Sequence, residues 1–514
     1  MISERHLFFP WFSLRAAGVA LLGLAGQASA DVRLSSLFTD HMVMQRGRPV
    51  PVWGWADEGE KVTVEFRGVK LSATTKDGKW MVKLPPQKAS GPETLKVAGH
   101  NRLEVRDVLV GEVWFCSGQS NMEWPMTRSF QPDQDIANSA NPNLRLYTVP
   151  KRKSASPAAN VPSKWVESGP ETVKSFSAVA YYFGRDLQKA LGVPVGLIHT
   201  SWGGSPAEAW IRHDLLSAKD DYRTSIIENY NNAYSKFVED REKFLAAKQA
   251  GTAGDAKPPQ PPFWTPGELY NGMIAPLIPY AVQGAIWYQG ESNAGRAHQY
   301  RSLFADMIQN WRDDWGQGPF PFLLVQLAPW DKNRKRSLEE ITKEPVESDW
   351  AELREAQALA TTTLPRVGMA VITDAGDKDD IHPAKKAPAG ERLALAARRI
   401  AYGEKILHSG PIYRSMARKG SRIEIDFSHV GNGLEARGGE LTGFSIAGAD
   451  KKFVWAKAAI QGQKVVVESP DVPLPVAVRF GWHEFPVVNL YNSAGLPASP
   501  FRTDDFPMVT KPKR

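Results

Sequence analysis

The chain has 514 residues, of which 42% are hydrophobic and 23% charged, a composition typical of a soluble globular protein with roughly two to four domains. Its net charge of +7 is not concentrated in a Lys/Arg block, so nucleic-acid binding has no support. A single cysteine, Cys116, excludes an internal disulfide bond. No Cys or His cluster has the spacing of a metal site, so we expect no bound metal.

The first 30 residues predict a secretory signal peptide. Arg5 and Arg15 are followed by an apolar stretch that ends at Leu24, and Ala28-Ser29-Ala30 has the small-x-small pattern of a cleavage site after Ala30. The apolar stretch is shorter than the roughly 20 residues that a membrane anchor requires, and no later segment is long and apolar enough to span a membrane. We therefore expect a periplasmic or secreted protein with no membrane anchor.

Residues 31–108 consist of short runs that alternate apolar and polar side chains and are rich in Val and Thr, such as "KVTVEF". This pattern is typical of antiparallel strands, and Asp77-Gly78 predicts a hairpin turn between two of them. The segment is therefore predicted to form a β-sandwich-like domain.

Residues 109–410 alternate strands with helices, which predicts a three-layer α/β domain with a parallel sheet. The nearly continuous apolar run "VLVGEVWFCSG" is typical of a strand that is covered on both faces. A helix is predicted between a cap at Ser177 and a stop at Gly192. Strand patterns return over residues 411–514, which predicts a C-terminal β module.

A polar helix and a Pro/Gly-rich linker interrupt the α/β pattern at about residues 214–265. We expect this insertion to lie on the surface. It forms either a lid or rim of the functional site or a solvated segment without a function.

Small and polar residues follow four of the predicted α/β strands. The carboxyl ends of parallel strands share one edge of the sheet, where ligands bind. A serine there can offer its hydroxyl and its N–H, glycines can offer an N–H, an amide can donate a hydrogen bond, and a histidine beside a carboxylate can act as a base. These are the components of a serine hydrolase, although no G-x-S-x-G motif is present. The four segments are Ser117–Asn121, Ser201–Ser205, Gln289–Asn293 and Asp377–Pro383.

The segments "GEVWFCSGQSNMEWPM", "SWGGSPAEAW", "LYNGMIAPLIPYAVQGAIWYQGESNAG" and "DDIHPAKK" resemble the successive motif blocks of the sialate O-acetylesterase family. That family lies within the SGNH (GDSL-like) hydrolase superfamily. The blocks occur in the family's order, and the resemblance extends over most of residues 31–510.

The resemblance implies that Ser120 is the nucleophile and His382 the general base. It also implies an oxyanion hole in which an N–H of Gly203 or Gly204 assists the N–H of Ser120. Ester hydrolysis with these groups requires no metal and no organic cofactor.

The remaining oxyanion donor is open between the side-chain amides of Gln289 and Asn293. The superfamily's usual third block is Gly-x-Asn-Asp, whereas this chain reads Gly290-Glu291-Ser292-Asn293. Because of that departure, both amides stay candidates.

The acid that orients His382 is also open. The superfamily spacing Asp-x-x-His selects Asp379, whereas the Asp-Ile-His pattern of the sialate esterase branch selects Asp380. We place Asp379 slightly ahead of Asp380 and Glu291 third. Some members of the superfamily use a Ser-His dyad in which a backbone carbonyl holds the imidazole.

Substrate contacts are expected from residues of the same blocks, namely Gln119, Trp124 and Glu291. Trp124 either walls the acyl pocket or packs in the core. Cys116, four residues before the serine, is expected to be a buried small hydrophobe rather than a nucleophile.

The predicted function is removal of acetyl groups from O-acetylated carbohydrates. The substrate is either O-acetylated sialic acid, whose carboxylate Arg128 or Arg212 would bind, or a cell-wall polysaccharide such as xylan or xyloglucan, which the 17 tryptophans favour slightly. The alternatives are a non-catalytic glycan-binding protein on a hydrolase scaffold and a hydrolase of small esters in general. The sequence leaves the oligomeric state open.

Overall fold

The computed structural model describes residues 31–333 and 335–512. The predicted signal peptide lies outside the described residues. Across the described ranges, we find no helix with the length and apolar character needed to cross a membrane.

The first eight strands form two sheets that share one hydrophobic core. Strands β1, β3 and β6 form one sheet, while β5, β4, β7 and β8 lie side by side in the other. Buried and exposed residues alternate along β4 and β6, as the sequence pattern predicts. The strands are β1 (Arg33–Leu34), β2 (Val43–Gln45), β3 (Val50–Trp55), β4 (Lys61–Phe66), β5 (Val69–Thr74), β6 (Lys79–Leu84), β7 (Ser90–Ala98) and β8 (Arg102–Gly118).

The turn predicted at Asp77-Gly78 is present, but the hairpin is not. Both residues have positive φ angles, 53° and 69°, and Lys76 and Lys79 exchange backbone hydrogen bonds of 2.9 and 3.0 Å across them. However, β5 pairs with β4, and β6 pairs with β3. The turn therefore passes the chain from one sheet to the other.

Strand β8 runs without interruption through the predicted domain limit between residues 108 and 109. Its first half pairs antiparallel with β7, and its second half belongs to the central sheet. A β-bulge at Asp107, whose φ is 53°, redirects the strand without ending it. The predicted strand "VLVGEVWFCSG" is therefore the second part of a longer strand, and the division of the chain into domains stays a prediction.

The central sheet contains β8 and the next six strands, which are β9 (Asn141–Thr148), β10 (Trp165–Ser168), β11 (Val195–Ser201), β12 (Gly284–Tyr288), β13 (Phe322–Val325) and β14 (Val367–Ala370). Their order is β10-β9-β11-β8-β12-β13-β14. All neighbours are parallel except β10, which is antiparallel to β9. The predicted α/β organisation with a parallel sheet is confirmed.

Eleven α-helices are assigned within the described residues. They are α1 (Ser120–Glu123), α2 (Asp133–Ala137), α3 (Pro170–Val173), α4 (Ala178–Leu191), α5 (His213–Ala218), α6 (Asp220–Tyr222), α7 (Asn229–Gln249), α8 (Ala297–Trp315), α9 (Leu338–Ile341), α10 (Asp349–Thr363) and α11 (Ala387–Ile400). Short 3₁₀ turns occupy Met126–Arg128, Ala207–Trp210, Ala275–Leu277 and Glu291–Arg296, and π-helical turns occupy Arg223–Glu228 and Tyr270–Ile274.

Helices cover both faces of the central sheet. Because successive side chains of a strand point to opposite faces, neighbouring residues of β8 contact different helices. Trp114 of β8 packs on Phe183 of α4, in the core that also contains α11. The next residue, Phe115, contacts Trp311 and Trp315 of α8. The insertion forms α5 to α7, and α7 has no buried residue, in agreement with its polar sequence.

The C-terminal strands form three small sheets around a core of their own, as predicted. Arg354 of α10 connects them to the α/β unit, because its buried guanidinium donates to the carbonyls of His483 and Glu484 at 2.7 and 2.8 Å. The strands are β15 (Ile412–Lys419), β16 (Arg422–Ser428), β17 (Leu434–Ala436), β18 (Phe444–Ala447), β19 (Phe453–Trp455), β20 (Lys457–Gln461), β21 (Lys464–Glu468), β22 (Ala477–Phe480), β23 (Leu490–Asn492) and β24 (Phe501–Arg502).

Helix α4 begins and ends where the sequence predicts, and its cap yields a test of stability. The hydroxyl of Ser177 accepts the N–H of Ala180 at 3.2 Å and donates to the buried carbonyl of Met122 at 2.6 Å, while Gly192 ends the helix with a φ of 64°. Ser177→Ala removes the cap and leaves that carbonyl unpaired. We expect a loss of about 2 to 3 kcal/mol in the free energy of unfolding, measured with urea.

The matched control for this cap is Ser217→Ala in α5. The Ser217 hydroxyl also contacts a backbone carbonyl, that of His213, but it is exposed to solvent. Its loss is expected to change the free energy of unfolding by less than about 0.5 kcal/mol. Equal effects of the two substitutions would contradict the role assigned to Ser177.

Candidate active site

Strand β8 ends in a close contact that only glycine permits. Gly118 has a φ of 144°, and a Cβ atom there would lie 2.2 Å from the carbonyl oxygen of Tyr288 at the end of β12. The N–H of Gln119 then donates to the same oxygen at 3.0 Å. Ser120 follows as the first residue of α1, so its N–H has no acceptor within the helix. Both its hydroxyl and its N–H are thus presented at the carboxyl edge of the sheet.

His382 reaches this serine from the loop that follows β14. Its Nε2 atom lies 2.8 Å from the Oγ of Ser120, and its ring stacks on Trp124 with centroids 5.3 Å apart. Burial lowers the pKa of His382, and the positive charge of Lys386 lowers it further. The imidazole is therefore neutral at pH 7 and is able to accept the serine proton.

Asp380, and not Asp379, lies beside His382. Its Oδ1 is 3.5 Å from the imidazole Nδ1 and accepts the backbone N–H of His382 at 2.8 Å. Asp379 is exposed and pairs with Lys378. The N–H groups of both aspartates donate to Asp377, which turns the loop so that Asp380 faces the ring. The geometry does not support the slight preference for Asp379.

The interaction between Asp380 and the imidazole is weak. A separation of 3.5 Å exceeds the length of an ordinary hydrogen bond, and the Asp380 side chain is 57% exposed. The third candidate, Glu291, binds Asn121 instead, at 2.6 Å.

Gly203, after β11, lies directly beside the serine. A Cβ atom at this position would be 3.2 Å from the Cβ of Ser120. The N–H of Gly203 donates to Oε2 of Glu123 at 2.6 Å, and Lys151 binds the other carboxylate oxygen at 2.5 Å. The carboxylate of Glu123 therefore marks an anion-binding position next to the hydroxyl of Ser120.

Gly204 adopts the left-handed conformation, with a φ of 76°, and its carbonyl accepts the hydroxyl of Ser292 at 3.0 Å. This contact ties the loop after β11 to the loop after β12.

The two candidate amides have other partners. Gln289 donates to Oδ1 of Asn293 at 2.6 Å and to the carbonyl of Ser205 at 3.3 Å, and Asn293 donates to Glu208 at 2.9 Å. Both side chains are buried, where unpaired polar groups are costly. These hydrogen bonds hold the loop after β12 in place. Because the amide groups already donate to protein atoms, the geometry does not support the oxyanion role predicted for either of them.

Gln119 also has a bracing contact. Its side chain is buried, and its Oε1 lies 3.4 Å from the N–H groups of Gly290 and Ser292. Glu291 is half-buried, and its Oε2 is buried without a hydrogen-bond partner among the described residues. The structure thus places Gln119 and Glu291 behind the serine, whereas both were expected to contact substrate.

Asn121 holds three loops together, a function that the sequence analysis missed. Its amide donates to Glu291 at 2.6 Å and to the carbonyl of Ile381 at 3.1 Å, and its oxygen accepts Lys386. Lys386 is 1% exposed, and burial lowers its pKa to about 7. Asn121 and Lys386 both lie in the motif blocks. However, a lysine in a predicted loop is ordinarily expected on the surface, so the sequence did not indicate that Lys386 is buried.

Aromatic and basic side chains form a rim next to Glu123. Trp202, Phe263 and Trp264 contact one another, with Trp264 centred 5.6 Å from Trp202 and 4.7 Å from Phe263. Lys153 lies over Phe263 at 4.0 Å and over Trp264 at 4.7 Å. The end of the insertion thus packs against Trp202 of the loop after β11, and its role as a rim of the functional site stays a prediction.

The two arginines considered as carboxylate binders differ in their surroundings. Arg212 is held by Asp214 and Asp314 at 2.5 and 2.6 Å. Arg128 is exposed, its guanidinium lies 3.8 Å from the centre of the Trp124 ring, and no carboxylate of the described chain forms an ion pair with it. Arg128 therefore remains a candidate, and Arg212 does not.

Cys116 is buried within β8, and its burial raises the pKa of the thiol well above the usual range. A buried, protonated thiol is a poor nucleophile, as expected for a small core residue.

Comparison with known proteins agrees with the geometry. Residues 259–398 match the family of carbohydrate esterases described as sialic acid-specific acetylesterase. The crystal structure of a carbohydrate acetylesterase from Xanthomonas citri is 38% identical, with a TM-score of 0.79, over 93% of this chain and 100% of that one. The sialate O-acetylesterase of Homo sapiens is 29% identical over 92% of this chain and 93% of its own length. The sialate O-acetylesterase of Mus musculus is 28% identical over 94% of this chain and 97% of its own length.

The buried charge of Lys386 predicts a change in pH dependence. His382 must be neutral to act as the predicted general base, so kcat/KM is expected to fall as the pH decreases through the pKa of this residue. Lys386→Met removes a positive charge that lowers this pKa, so the acid limb of the profile is expected to move to higher pH. The measurement is kcat/KM for 4-nitrophenyl acetate between pH 4 and 9.

The control for this shift is Lys385→Met, since Lys385 is the exposed neighbour of Lys386. Its acid limb is expected to coincide with that of the parent protein. An unchanged limb in a folded Lys386→Met variant would show that Lys386 does not control the pKa of His382.

The two aspartates yield a second comparison. Asp380→Asn is expected to lower kcat on the order of 10-fold, because the charge beside the imidazolium that forms during attack is lost. Asp379→Asn, which removes a charge paired with Lys378, is expected to leave kcat within about twofold. A larger loss in Asp379→Asn would restore the preference derived from the Asp-x-x-His spacing.

Proposed function

The chain belongs to the sialate O-acetylesterase family of carbohydrate esterases, and from this premise we propose that Ser120 is its nucleophile and His382 its general base. The protein is a carboxylic-ester hydrolase that acts on O-acetylated carbohydrates. The observation that carries the proposal is the 2.8 Å contact between the serine Oγ and the imidazole Nε2.

In the proposed mechanism, His382 takes the hydroxyl proton while the Oγ of Ser120 attacks the acetyl carbonyl carbon. The tetrahedral intermediate collapses, the bond to the sugar oxygen breaks, and His382 returns the proton to that oxygen. Water then attacks the acetyl-enzyme with His382 again as the base, which releases acetate. Asp380 stabilises the imidazolium that forms in both steps.

The oxyanion is proposed to bind the N–H groups of Ser120 and Gly203. The second donor holds Glu123 in this structure, so the oxyanion replaces one carboxylate oxygen and Glu123 stays paired with Lys151. The Glu123 side chain is 33% exposed, which leaves it room to withdraw. Gly204 and the bracing amides keep the Gly203 N–H in place.

We extend the proposal to the fold and the location of the protein. The arrangement of polar loops at the carboxyl edge of the sheet supports an SGNH-hydrolase-like catalytic domain over residues 109–410. The predicted signal peptide supports export to the periplasm or beyond, with cleavage after Ala30.

The substrate is proposed to be a sugar with a carboxylate, such as sialic acid. Arg128 supports this choice, because it lies on the tryptophan that stacks against His382 and has no carboxylate partner in the described residues. The number of tryptophans, which favoured a neutral polysaccharide slightly, is explained largely by packing. Eleven of the 17 are buried in the described residues, namely Trp53, Trp80, Trp114, Trp124, Trp165, Trp210, Trp287, Trp311, Trp315, Trp350 and Trp482.

The first test of this proposal is acetate release by the mature protein. We expect release from 9-O-acetylated sialic acid with a kcat/KM well above that for acetylated xylan or xyloglucan oligosaccharides. Ser120→Ala is expected to lose at least about 10³-fold in kcat on every acetyl ester. Activity that survives in Ser120→Ala would refute the assignment of the nucleophile.

The role of Arg128 is tested by Arg128→Gln on the same substrates. We expect kcat/KM to fall on the order of 10-fold on the acetylated sialic acid and much less on acetylated xylan, because only the first has a carboxylate. The control is Arg418→Gln, an exposed arginine of β15. Equal losses on the acidic and the neutral substrate would argue against recognition of a carboxylate by Arg128.

A further inference from the structure

A cavity of about 370 Å³ lies between the end of α9 and the C-terminal sheets. Its walls are mainly apolar and aromatic, with Phe444, Trp455, Trp482 and Phe485 among them. None of the residues discussed above as part of the Ser120 site lines it. The cavity is therefore a separate feature with no function assigned by the ester chemistry.

The cavity is electrically neutral. No Asp, Glu, Lys or Arg lines it, and its single titratable residue is His483. Burial lowers the pKa of His483 to about 4, and the nearby guanidinium groups of Arg336 and Arg354 act in the same direction. The imidazole is thus uncharged at pH 7, and no wall group offers a charge to an ionic ligand.

Three N–H groups of the lining residues lack partners. They are Nε1 of Trp455, Nε1 of Trp482 and Nε2 of His483, all buried and without a hydrogen bond to any described residue. The Nδ1 of His483 accepts the N–H of Phe485 at 3.0 Å, so the proton of the neutral ring is on Nε2. Buried donors in native proteins are almost always paired, which indicates that a ligand or ordered water supplies the acceptors.

We propose that this cavity binds one neutral pyranose ring of a glycan. The C–H face of a pyranose packs on an aromatic ring, and its hydroxyl and ring oxygens are acceptors for indole and imidazole N–H groups. An apolar ligand would leave the three donors unpaired, and an acidic sugar would find no cation among the lining residues. Binding here does not depend on the proposed chemistry at Ser120.

The cavity is rigidly connected to the loop of His382. Arg354 donates to the carbonyls of His483 and Glu484, and the N–H of Trp330 also donates to the carbonyl of Glu484, at 3.2 Å. The next residue, Asp331, donates its N–H to the carbonyl of Lys378 at 3.1 Å, in the loop that carries His382. These hydrogen bonds connect the wall of the cavity, through Trp330 and Asp331, to the loop that carries His382.

The test is isothermal titration calorimetry on the mature Ser120→Ala protein, which cannot turn over an ester. The probes are xylose, glucose, galactose, N-acetylglucosamine and their non-acetylated β-linked oligosaccharides. Cyclohexanol, a six-membered ring with a single hydroxyl, serves as the apolar comparison, and sialyllactose as the acidic one. We expect at least one neutral sugar to bind and cyclohexanol to bind at least about tenfold more weakly.

Two substitutions locate the binding. Trp455→Phe and Trp482→Phe each keep an aromatic ring and remove an N–H donor, and each is expected to raise the Kd of the neutral sugar about tenfold. The control is Trp80→Phe in the N-terminal sheet, which removes another buried indole N–H without a partner at a position outside the cavity. This variant is expected to leave the Kd unchanged, and thermal unfolding verifies that all three remain folded.

Three results would overturn the proposal. The first is that no neutral sugar binds at a concentration of about 10 mM. The second is that binding persists in the double variant Trp455→Phe/Trp482→Phe. The third is that cyclohexanol binds more tightly than any sugar. The same substitutions in the Ser120 protein are expected to leave kcat/KM for 4-nitrophenyl acetate unchanged. A protein that binds sugar in the cavity but hydrolyses no ester would refute the proposed function alone.

Discussion

The close approach of strands β8 and β12 at Gly118 is the constraint on which the site depends. A side chain at this position would collide with the carbonyl of Tyr288, so the two strand ends could not lie together. Because they do, the chain turns directly from β8 into the helix that begins with Ser120. The same strand also pairs with β7 in the N-terminal sheets. The serine thus follows a strand that belongs to two sheets at once.

Buried charge influences the protonation state of His382, the proposed general base. Lys386 is enclosed behind His382 and binds Asn121, whose amide binds Glu291. Burial disfavours the charged forms of both the lysine and the glutamate, and the remaining positive charge disfavours protonation of the imidazole. A weakly held imidazole beside an exposed aspartate therefore stays neutral near pH 7. Asn121 matters because it bridges the charged groups and holds the carbonyl of Ile381 beside the histidine.

Local sequence determined much of the framework. The cap at Ser177 and the stop at Gly192 set both ends of α4, because each acts within one turn of the helix. Continuous apolar runs marked the covered strands, and polar residues marked their carboxyl ends. Parallel strands bring such ends to one edge, and the family resemblance then implied Ser120 and His382 as partners, although 262 positions separate them.

Only the tertiary structure shows which of the neighbouring candidates contact each other. Asp380 faces His382 because Asp377 turns the loop. Gln289 and Asn293 are hydrogen-bonded to each other because both side chains are buried. The burial of Lys386 and the continuity of β8 through the predicted domain limit are equally invisible in local patterns. The physical reason is common to these cases. The partner of a buried polar group comes from whichever distant segment packs against it, and the sequence does not specify that segment residue by residue.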